Sequence, residues 1–274
     1  MSARQSCQTC PAVAPQKVGS NGGAPDTVAI IVAGGLGLRF GDPHGKQYVE
    51  LCGLPLMAWP ILAFDHAPSI AHIVVVCAPE RAAEVEKDVL GRLTLRKPIT
   101  LAPSGDTRQR SVYNGLSAMP RGYEFVSVHD AARPLIETEV IEEVLAHLRV
   151  DKTLAGAICA SRCMNTLKLA ENGVIVATPD RDFYWEAQTP QSFRTRALVA
   201  AHKSAAWEGY QGTDDASLVE RHGGRVLCVE SPRDNLKVTV PEDLAIASAI
   251  LEQRLVDACG AEDGSFGPHD KTGE

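Results

Sequence analysis

Six consecutive apolar residues, Val28-Ala29-Ile30-Ile31-Val32-Ala33, constrain this chain more than any other feature. A strand with one wet face alternates apolar and polar side chains, whereas an unbroken apolar run of strand length has to be covered on both faces. Similar runs recur at Ile73 to Cys77, Phe125 to Val128, Ala155 to Ala160 and Val226 to Val229. Between and after them lie stretches with helical spacing: Met57 to His66, Arg81 to Leu90, Arg110 to Ala118, Val140 to Leu148, Arg196 to Ala206 and Pro241 to Leu255. The last opens Pro-Glu-Asp, and Pro in the first turn with acids near the N-terminus favours a helix start. Strands alternating with helices predict an α/β fold, a three-layer and mostly parallel sheet with helices on both faces. Such sheets bind ligands at the carboxyl ends of their strands.

The rhythm breaks over residues 161–183. Two short alternating segments, Thr166 to Leu169 and Val174 to Val176, flank Asn172-Gly173, a strong hairpin signal. A hairpin that leaves the body of the protein has unpaired edges, so it is expected to act as a dimerisation arm that embraces a second copy of the chain. The plainer reading is a surface loop. Residues 1–26 read as a flexible leader, 27–255 as one domain, and the Gly- and acid-rich residues 256–274 as a flexible tail.

Charge narrows the function. The chain has 27 Lys plus Arg against 34 Asp plus Glu, a formal net charge of −7. That argues against a nucleic-acid coat, which needs a broad basic surface. A phosphate site would have to be built from a few locally concentrated cations. No apolar run reaches the roughly 18–20 residues of a membrane span. The first residues lack a hydrophobic signal core, so a cytoplasmic location is expected. Most of the eight Cys sit singly in apolar segments, as small buried hydrophobes of a reducing compartment do. Cys7-Gln8-Thr9-Cys10 has redox or zinc spacing, but no second ligand pair lies nearby, and the leader reading is preferred. No dedicated metal site is expected.

The chemistry starts directly after the first strand, at Ala33-Gly34-Gly35-Leu36-Gly37-Leu38-Arg39, with Lys46 seven residues on. Glycines let backbone N–H groups approach phosphate oxygens, and Arg39 and Lys46 can neutralise them. A dinucleotide fingerprint would need Gly at position 40, where Phe40 stands, and a Walker A motif would need Ser or Thr at 47, where Gln47 stands. Without a ligand the segment is a Gly-rich strand-to-helix turn. Asp130 ends a buried run, where α/β sheets place ligand-facing groups, and can accept substrate hydroxyls or sit beside a magnesium ion. Alternatively it starts a helix or pairs with Arg133. Ser111 can equally be a helix N-terminal hydroxyl. Arg181 lies at the base of the arm between Asp180 and Asp182, where a solvated Arg would also fit. Lys237 reads as the lone cation of an apolar strand, either an edge residue or a site cation.

The block Ala33 to Arg39 with Lys46-Gln47-Tyr48 resembles a sugar-nucleotide pyrophosphorylase signature, and more narrowly the 2-C-methyl-D-erythritol 4-phosphate cytidylyltransferase family of non-mevalonate isoprenoid synthesis. Further segments match in order: Gly105-Asp106-Thr107-Arg108 with Ser111 to Leu116, Val128 to Pro134, Asp180-Arg181, Ala187 to Gln191, Thr213 to Ser217, and Asn235 to Thr239 with Pro241 to Leu244. The resemblance spans roughly Val28 to Leu255. It implies a Rossmann-like nucleotidyltransferase sheet and a homodimer joined by the hairpin arms. CTP and methylerythritol phosphate would be the substrates, and Mg2+ would be held mainly by the nucleotide phosphates. It further implies that Ala33, Gly34, Gly35 and Gly37 cradle the triphosphate and that Gly105, Asp106 and Ser111 read the cytosine. Arg39 and Lys46 would be catalytic, Asp130 and Arg133 would line the sugar-phosphate pocket, and Lys237 would position the attacking phosphate. Arg181, reaching over from the partner subunit, would hold the sugar phosphate with Thr166 and Thr189. The chain departs from the family at Gly34 (usually Ala), Gly45 (usually Pro) and Asn165 (usually Asp). Ala33-Gly34-Gly35 resembles the related ribitol-5-phosphate cytidylyltransferases, while Asp130 to Arg133 and Thr213 to Ser217 are closer to the methylerythritol branch. A non-catalytic nucleotide-binding regulator is the remaining alternative.

Overall fold

The computed structural model describes residues 24–35, 40–41 and 44–263, with side chains to 258. The Cys7/Cys10 leader, Gly37, Arg39 and residues 264–274 lie outside the described residues. In chain order the elements are β1 (Thr27–Val32), β2 (Glu50–Leu51), β3 (Leu54–Pro55), α1 (Ala58–His66), β4 (Ile70–Cys77), α2 (Ala82–Glu84), β5 (Ile99–Pro103), α3 (Arg108–Ala118), β6 (Phe125–Asp130), α4 (Thr138–Val150), β7 (Gly156–Arg162), β8 (Leu169–Glu171), β9 (Val174–Ala177), β10 (Trp185–Arg194), α5 (Thr195–Glu208), α6 (Asp215–Arg221), β11 (Val226–Glu230) and α7 (Pro241–Asp263).

Seven strands form one sheet in the order β11-β7-β10-β6-β1-β4-β5. Only β10 runs antiparallel to its neighbours; the other ladders are parallel. The apolar run that opened the sequence lies at the centre, with Val28, Ala29, Ile30 and Ile31 all fully buried. Its alternate side chains feed two cores. Ala29 and Ile31 pack with α1, α4 and α7, and Val28 and Ile30 with α3, α5 and α6. This is the expected three-layer sandwich, and α4 shows why its helices dock as they do. Val140, Ile141, Val144, Leu145 and Leu148 are buried at helical spacing and form one apolar stripe.

Four local features differ from expectation. The helix expected over Arg81 to Leu90 is a segment of mixed pitch across 79–92, with a π turn at Val85–Val89 between 3-10 turns. Strand β10 is central yet carries no apolar run, because its buried Gln188, Thr189, Gln191 and Ser192 are paired instead of excluded; Ser192 Oγ lies 2.9 Å from Ser127 Oγ. Pro190, which has no N–H to give a ladder, sits where the β10–β7 register shifts between Ala187 and Gln191. Lys237 is not on a strand. Residues 231–240 join no ladder: Asn235 N and Leu236 N bond within the segment, to Pro232 O and Asp234 O, and Val238 N bonds Ala132 O in the loop after β6. Helix α7 continues past Leu255 to Asp263 through helix-tolerant Ala, Glu and Asp residues.

Strands β8 and β9 pair only with each other. Asn172 (φ 49°) and Gly173 (φ 82°) turn the hairpin in the left-handed region that Asn and Gly tolerate. Leu169, Val174, Ile175, Val176 and Phe183 are all exposed on this arm, Phe183 at 81%.

Candidate active site

Strand order sets the position of the site. After β1 the chain builds β4 and β5 on one side and β6 on the other, so a crevice opens beyond the carboxyl ends of β1 and β6. The loop after β1 enters it, and Gln47 fixes that loop by donating through Nε2 to Ala33 O (2.9 Å) and Gly35 O (3.1 Å). Lys46 follows Gly45, whose φ of 95° the proline ring excludes, so the departure at 45 gives the Lys46 turn a backbone of its own. Lys46 Nζ donates to Val238 O at 2.6 Å. The first glycine loop and the 231–240 segment therefore meet at Lys46.

Asp130, the last residue of β6, is the electrostatic centre. Its Oδ1 accepts from Arg108 Nε (3.0 Å) and its Oδ2 from Lys237 Nζ (2.6 Å). Arg108 also donates through Nη1 to Asp215 Oδ2 at 2.7 Å, and Asp215 Oδ1 lies 3.0 Å from His202 Nε2. Burial alone would raise the Asp130 carboxyl, but the Arg108 guanidinium and the Lys237 ammonium outweigh it and hold that carboxyl well below the usual range. Asp215 is shifted the same way, with Arg108 as the main opponent of burial. Asp130 does not pair with Arg133; Arg133 Nη1 bonds Asn235 O at 2.6 Å. Arg108 Nη2 and Arg133 Nε are buried with no partner among the described residues, as suits donors of an anion site.

Much of this knot was not singled out from the sequence. Arg108 is one of several arginines around the start of α3, and nothing in its spacing marks it as the bridge between Asp130 and Asp215. Gln191 Oε1 accepts from the N–H groups of Asp215 and Ala216, each at 3.1 Å, while Asp214 and Ser217 form a capping box. Two of the matched motifs, 187–191 and 213–217, thus present Asp215 to Arg108. Asn235 Nδ2 donates to Gln188 Oε1 (3.0 Å) and Thr189 O (2.9 Å). Arg254 of α7 donates to Leu135 O (2.8 Å) and Asp234 Oδ2 (2.6 Å), tying together the loops that carry Arg133 and Lys237.

A cavity of about 400 Å³ opens beside this knot, lined in part by Arg133, Lys237, Asn165 and Gln188. Thr166 and Arg181 are exposed on the arm and do not line it; Arg181 Nη1 donates to Met164 O at 2.5 Å. Thr189 is buried, and its Oγ1 accepts from Asp130 N at 3.0 Å. At the start of α3, Ser111 Oγ accepts from Gly105 N (3.0 Å) and donates to Thr107 O (2.9 Å), so it shapes the 104–107 loop. The N-cap of α3 is Thr107. Asp106 is exposed at a second cavity of about 250 Å³.

His129 braces the same strand end. Its Nε2 lies 3.1 Å from Arg133 O and its Nδ1 3.2 Å from Thr189 Oγ1, which fits a neutral ring donating through Nε2 and accepting at Nδ1. Burial pushes its pKa down to about 4. The unfolded chain binds this proton below about 6.5 and the folded chain only below about 4, so stability falls as pH drops through that window. The loss amounts to about 3 kcal/mol at full effect. Burial also pushes His66 and His72 down, with the same sign. Urea titrations of wild type and His129→Gln between pH 7 and 4 isolate the contribution: the variant should show a flatter pH slope, and equal slopes would contradict it.

Residues 27–253 match the family model described as IspD, 2-C-methyl-D-erythritol 4-phosphate cytidylyltransferase. The chain is similar to curated proteins of that name. It is 42% identical over 226 residues to one from Thermosynechococcus vestitus, covering 82% of this chain and 95% of the relative. It is 39% identical over 226 residues to one from Caldanaerobacter subterraneus subsp. tengcongensis, covering 82% and 98%. Among solved structures it is similar to 4-diphosphocytidyl-2C-methyl-D-erythritol synthase from Anaerococcus prevotii, with a TM-score of 0.73 and 27% identity over 82% of this chain and 96% of that one. The 2-C-methyl-D-erythritol 4-phosphate cytidylyltransferase of Francisella tularensis gives a TM-score of 0.69 and 28% identity over 82% and 99%. With residues 27–253 matched by the family model and 39% and 42% identity to curated members over most of the chain, the chain belongs to the 2-C-methyl-D-erythritol 4-phosphate cytidylyltransferase family.

Proposed function

We propose that this enzyme transfers the cytidylyl group of CTP to 2-C-methyl-D-erythritol 4-phosphate, giving 4-diphosphocytidyl-2-C-methyl-D-erythritol and pyrophosphate. The observation that carries the reading is the convergence of Lys46, Lys237, Asp130 and Arg133 from distant segments at one strand edge, beside a cavity of about 400 Å³. In a chain of net charge −7, such clustering is the local cation concentration a phosphate site requires.

A phosphate oxygen of the acceptor attacks the α-phosphorus of CTP in line. The new P–O bond forms as the bond to the bridging oxygen breaks, and pyrophosphate leaves with that electron pair. The attacking phosphate is already ionised at neutral pH, so no protein nucleophile or strong base is needed. Catalysis is positioning and charge stabilisation. The backbone of the Ala33, Gly34, Gly35 and Gly37 loop receives the triphosphate, with Gly105, Asp106 and Ser111 at the cytosine. Arg39 and Lys46 stabilise the charge that gathers on the α-phosphoryl group. Arg133 and Lys237 orient the acceptor phosphate, and Asp130 accepts acceptor hydroxyls while keeping Lys237 in place.

Mg2+ fits as an ion brought by the nucleotide. Among the described residues no cluster of three or more His, Cys, Asp or Glu could cage a metal, and both Asp130 oxygens are engaged by cations. An ion held mainly by phosphate oxygens and water suits that donor set. When bound, it would offset triphosphate charge. The cytoplasm is the compartment that suits the free thiols of Cys52, Cys77, Cys159, Cys163 and Cys228.

The functional unit in this reading is a homodimer. The apolar face of the arm gives a second copy something to cover, and Arg181 and Thr166 would reach the acceptor site of the neighbouring subunit. Arg181→Ala should raise the KM for the acceptor by roughly 10–100-fold with little effect on that for CTP, the loss of one bidentate phosphate grip. Mixing Arg181→Ala with Lys46→Ala protomers should recover activity, because one site of each mixed dimer is then complete. No recovery would place Arg181 in its own subunit's site. The reaction itself is tested by incubating CTP and Mg2+ with and without methylerythritol phosphate. Pyrophosphate should appear only with the acceptor and in step with the diphosphocytidyl product, and CTP binding without product would contradict the proposal.

A further inference from the structure

Two fastened loops touch at the crevice, at Gly34 and Ser104. A β-carbon built on Gly34 would lie 2.2 Å from Ser104 Cβ, 2.8 Å from its Oγ and 3.5 Å from its Cα. No rotamer relieves the first overlap, because a Cβ position is set by its own backbone. At the neighbouring Gly35 an added Cβ would meet nothing within 4 Å. The two glycines therefore serve different ends, Gly35 leaving open space and Gly34 making room for Ser104.

Neither loop can easily step aside. Ala33 N donates to Val76 O at 2.8 Å, and Gln47 holds the carbonyls of Ala33 and Gly35 on either side of Gly34. Ser104 N donates to Cys77 O at 2.7 Å, and Gly105 N donates to Ser111 Oγ at 3.0 Å. A Cβ on Gly105 would lie 2.3 Å from Arg110 Cγ, so the second loop is packed against α3 as well.

We propose that Gly34 and Ser104 form a reciprocal pair in which only one position can carry a side chain, and that their contact sets the gap between the triphosphate loop and the base-reading loop. This rests on the reading that these loops bind CTP. It assigns the unusual Gly34 to nucleotide positioning, away from the acceptor cavity.

Wild type, Gly34→Ala, Ser104→Gly and the double variant decide the matter, each measured for CTP affinity by calorimetry, for acceptor KM at saturating CTP and for thermal midpoint. Gly34→Ala should weaken CTP by on the order of tenfold or more, the usual cost of forcing a methyl group into a packed contact, and leave the acceptor KM near wild type. Adding Ser104→Gly should restore CTP affinity to within a few-fold of wild type. A Gly34→Ala protein that binds CTP like wild type would overturn the pairing. So would a CTP defect that Ser104→Gly leaves uncorrected, or an acceptor KM that rises as much as that for CTP. If wild type itself fails to bind CTP, the nucleotide reading is what falls. The pairing is then judged by the thermal midpoints: a drop on Gly34→Ala that Ser104→Gly reverses supports it, and additive effects refute it.

Discussion

Lys46→Ala should lower kcat by roughly 10²–10³-fold, the range seen when one preorganised transition-state donor is removed. Lys46 is well placed for that role. It leaves a turn anchored by Gln47 to the first glycine loop, and its Nζ reaches across to Val238 O at 2.6 Å, one residue from Lys237. The ammonium thus stands where the first glycine loop and the 231–240 segment come together, the two segments proposed to hold the triphosphate and the acceptor. Its contribution grows as charge builds on the reacting phosphoryl group, so the loss should fall mainly on kcat and less on the KM for CTP. The fold should survive, since Lys46 is only partly buried and outside both cores. Steady-state kinetics with a thermal melt test this, and near-full turnover in Lys46→Ala would remove Lys46 from the mechanism.

The second large effect belongs to Arg108, a residue that touches the site from behind. Arg108→Ala leaves Asp215, about 1% exposed, and Asp130 without their shared guanidinium. Breaking one partner out of a buried ionic cluster costs about 3–5 kcal/mol, because Asp215 then keeps only His202 and Asp130 only Lys237 against their buried charge. In a domain of this size that corresponds to a fall in Tm of roughly 6–20 °C. Activity should fall as well, since Asp130 then keeps only Lys237 as a cationic partner and loses its fixed orientation. Arg108→Lys should recover little, because a point-charge ammonium cannot bridge two carboxylates with the geometry of a planar fork. Denaturant titration and acceptor KM read the two consequences separately. A variant with wild-type stability would show that the cluster is not under the load the geometry gives it.

These two residues also mark how far the sequence could be read. Five of the seven sheet strands and most flanking helices were legible because their apolar patterns record which faces are covered: Val28 to Ile31 are fully buried in the centre of the sheet, whereas the Val226 to Val229 run forms the edge strand β11 and buries only Val229. The hairpin was legible through Asn172-Gly173, whose backbone demands are local. Lys46, Asp130 and Lys237 were legible through motifs, and the structure brings them to one edge. Strand β10 was not, because it buries Gln188, Thr189, Gln191 and Ser192, whose partners come from other segments. Arg108 was silent for the same reason: its meaning lies in Asp130 and Asp215, 22 and 107 residues away. The strand expected around Lys237 failed because an apolar run with a Lys in it does not say whether a neighbouring strand or a strand-end loop will take its hydrogen bonds. Pairings across long sequence separations are three-dimensional facts, and a one-dimensional pattern carries them only through resemblance.

The choice of acceptor is the heart of the functional reading. In the proposed site Gly34 bears on the nucleotide through its contact with Ser104, whereas Arg133, Asn165 and Lys237 line the cavity assigned to the acceptor. The most direct measurement is kcat/KM for pyrophosphate release from CTP and Mg2+ with 2-C-methyl-D-erythritol 4-phosphate and, side by side, with ribitol 5-phosphate. The account predicts a preference for the methylerythritol acceptor on the order of a hundredfold or more, as expected when a built polar site is offered the wrong arrangement of hydroxyls. Equal or faster release with ribitol 5-phosphate, or CTP binding with no release from either acceptor, would contradict it.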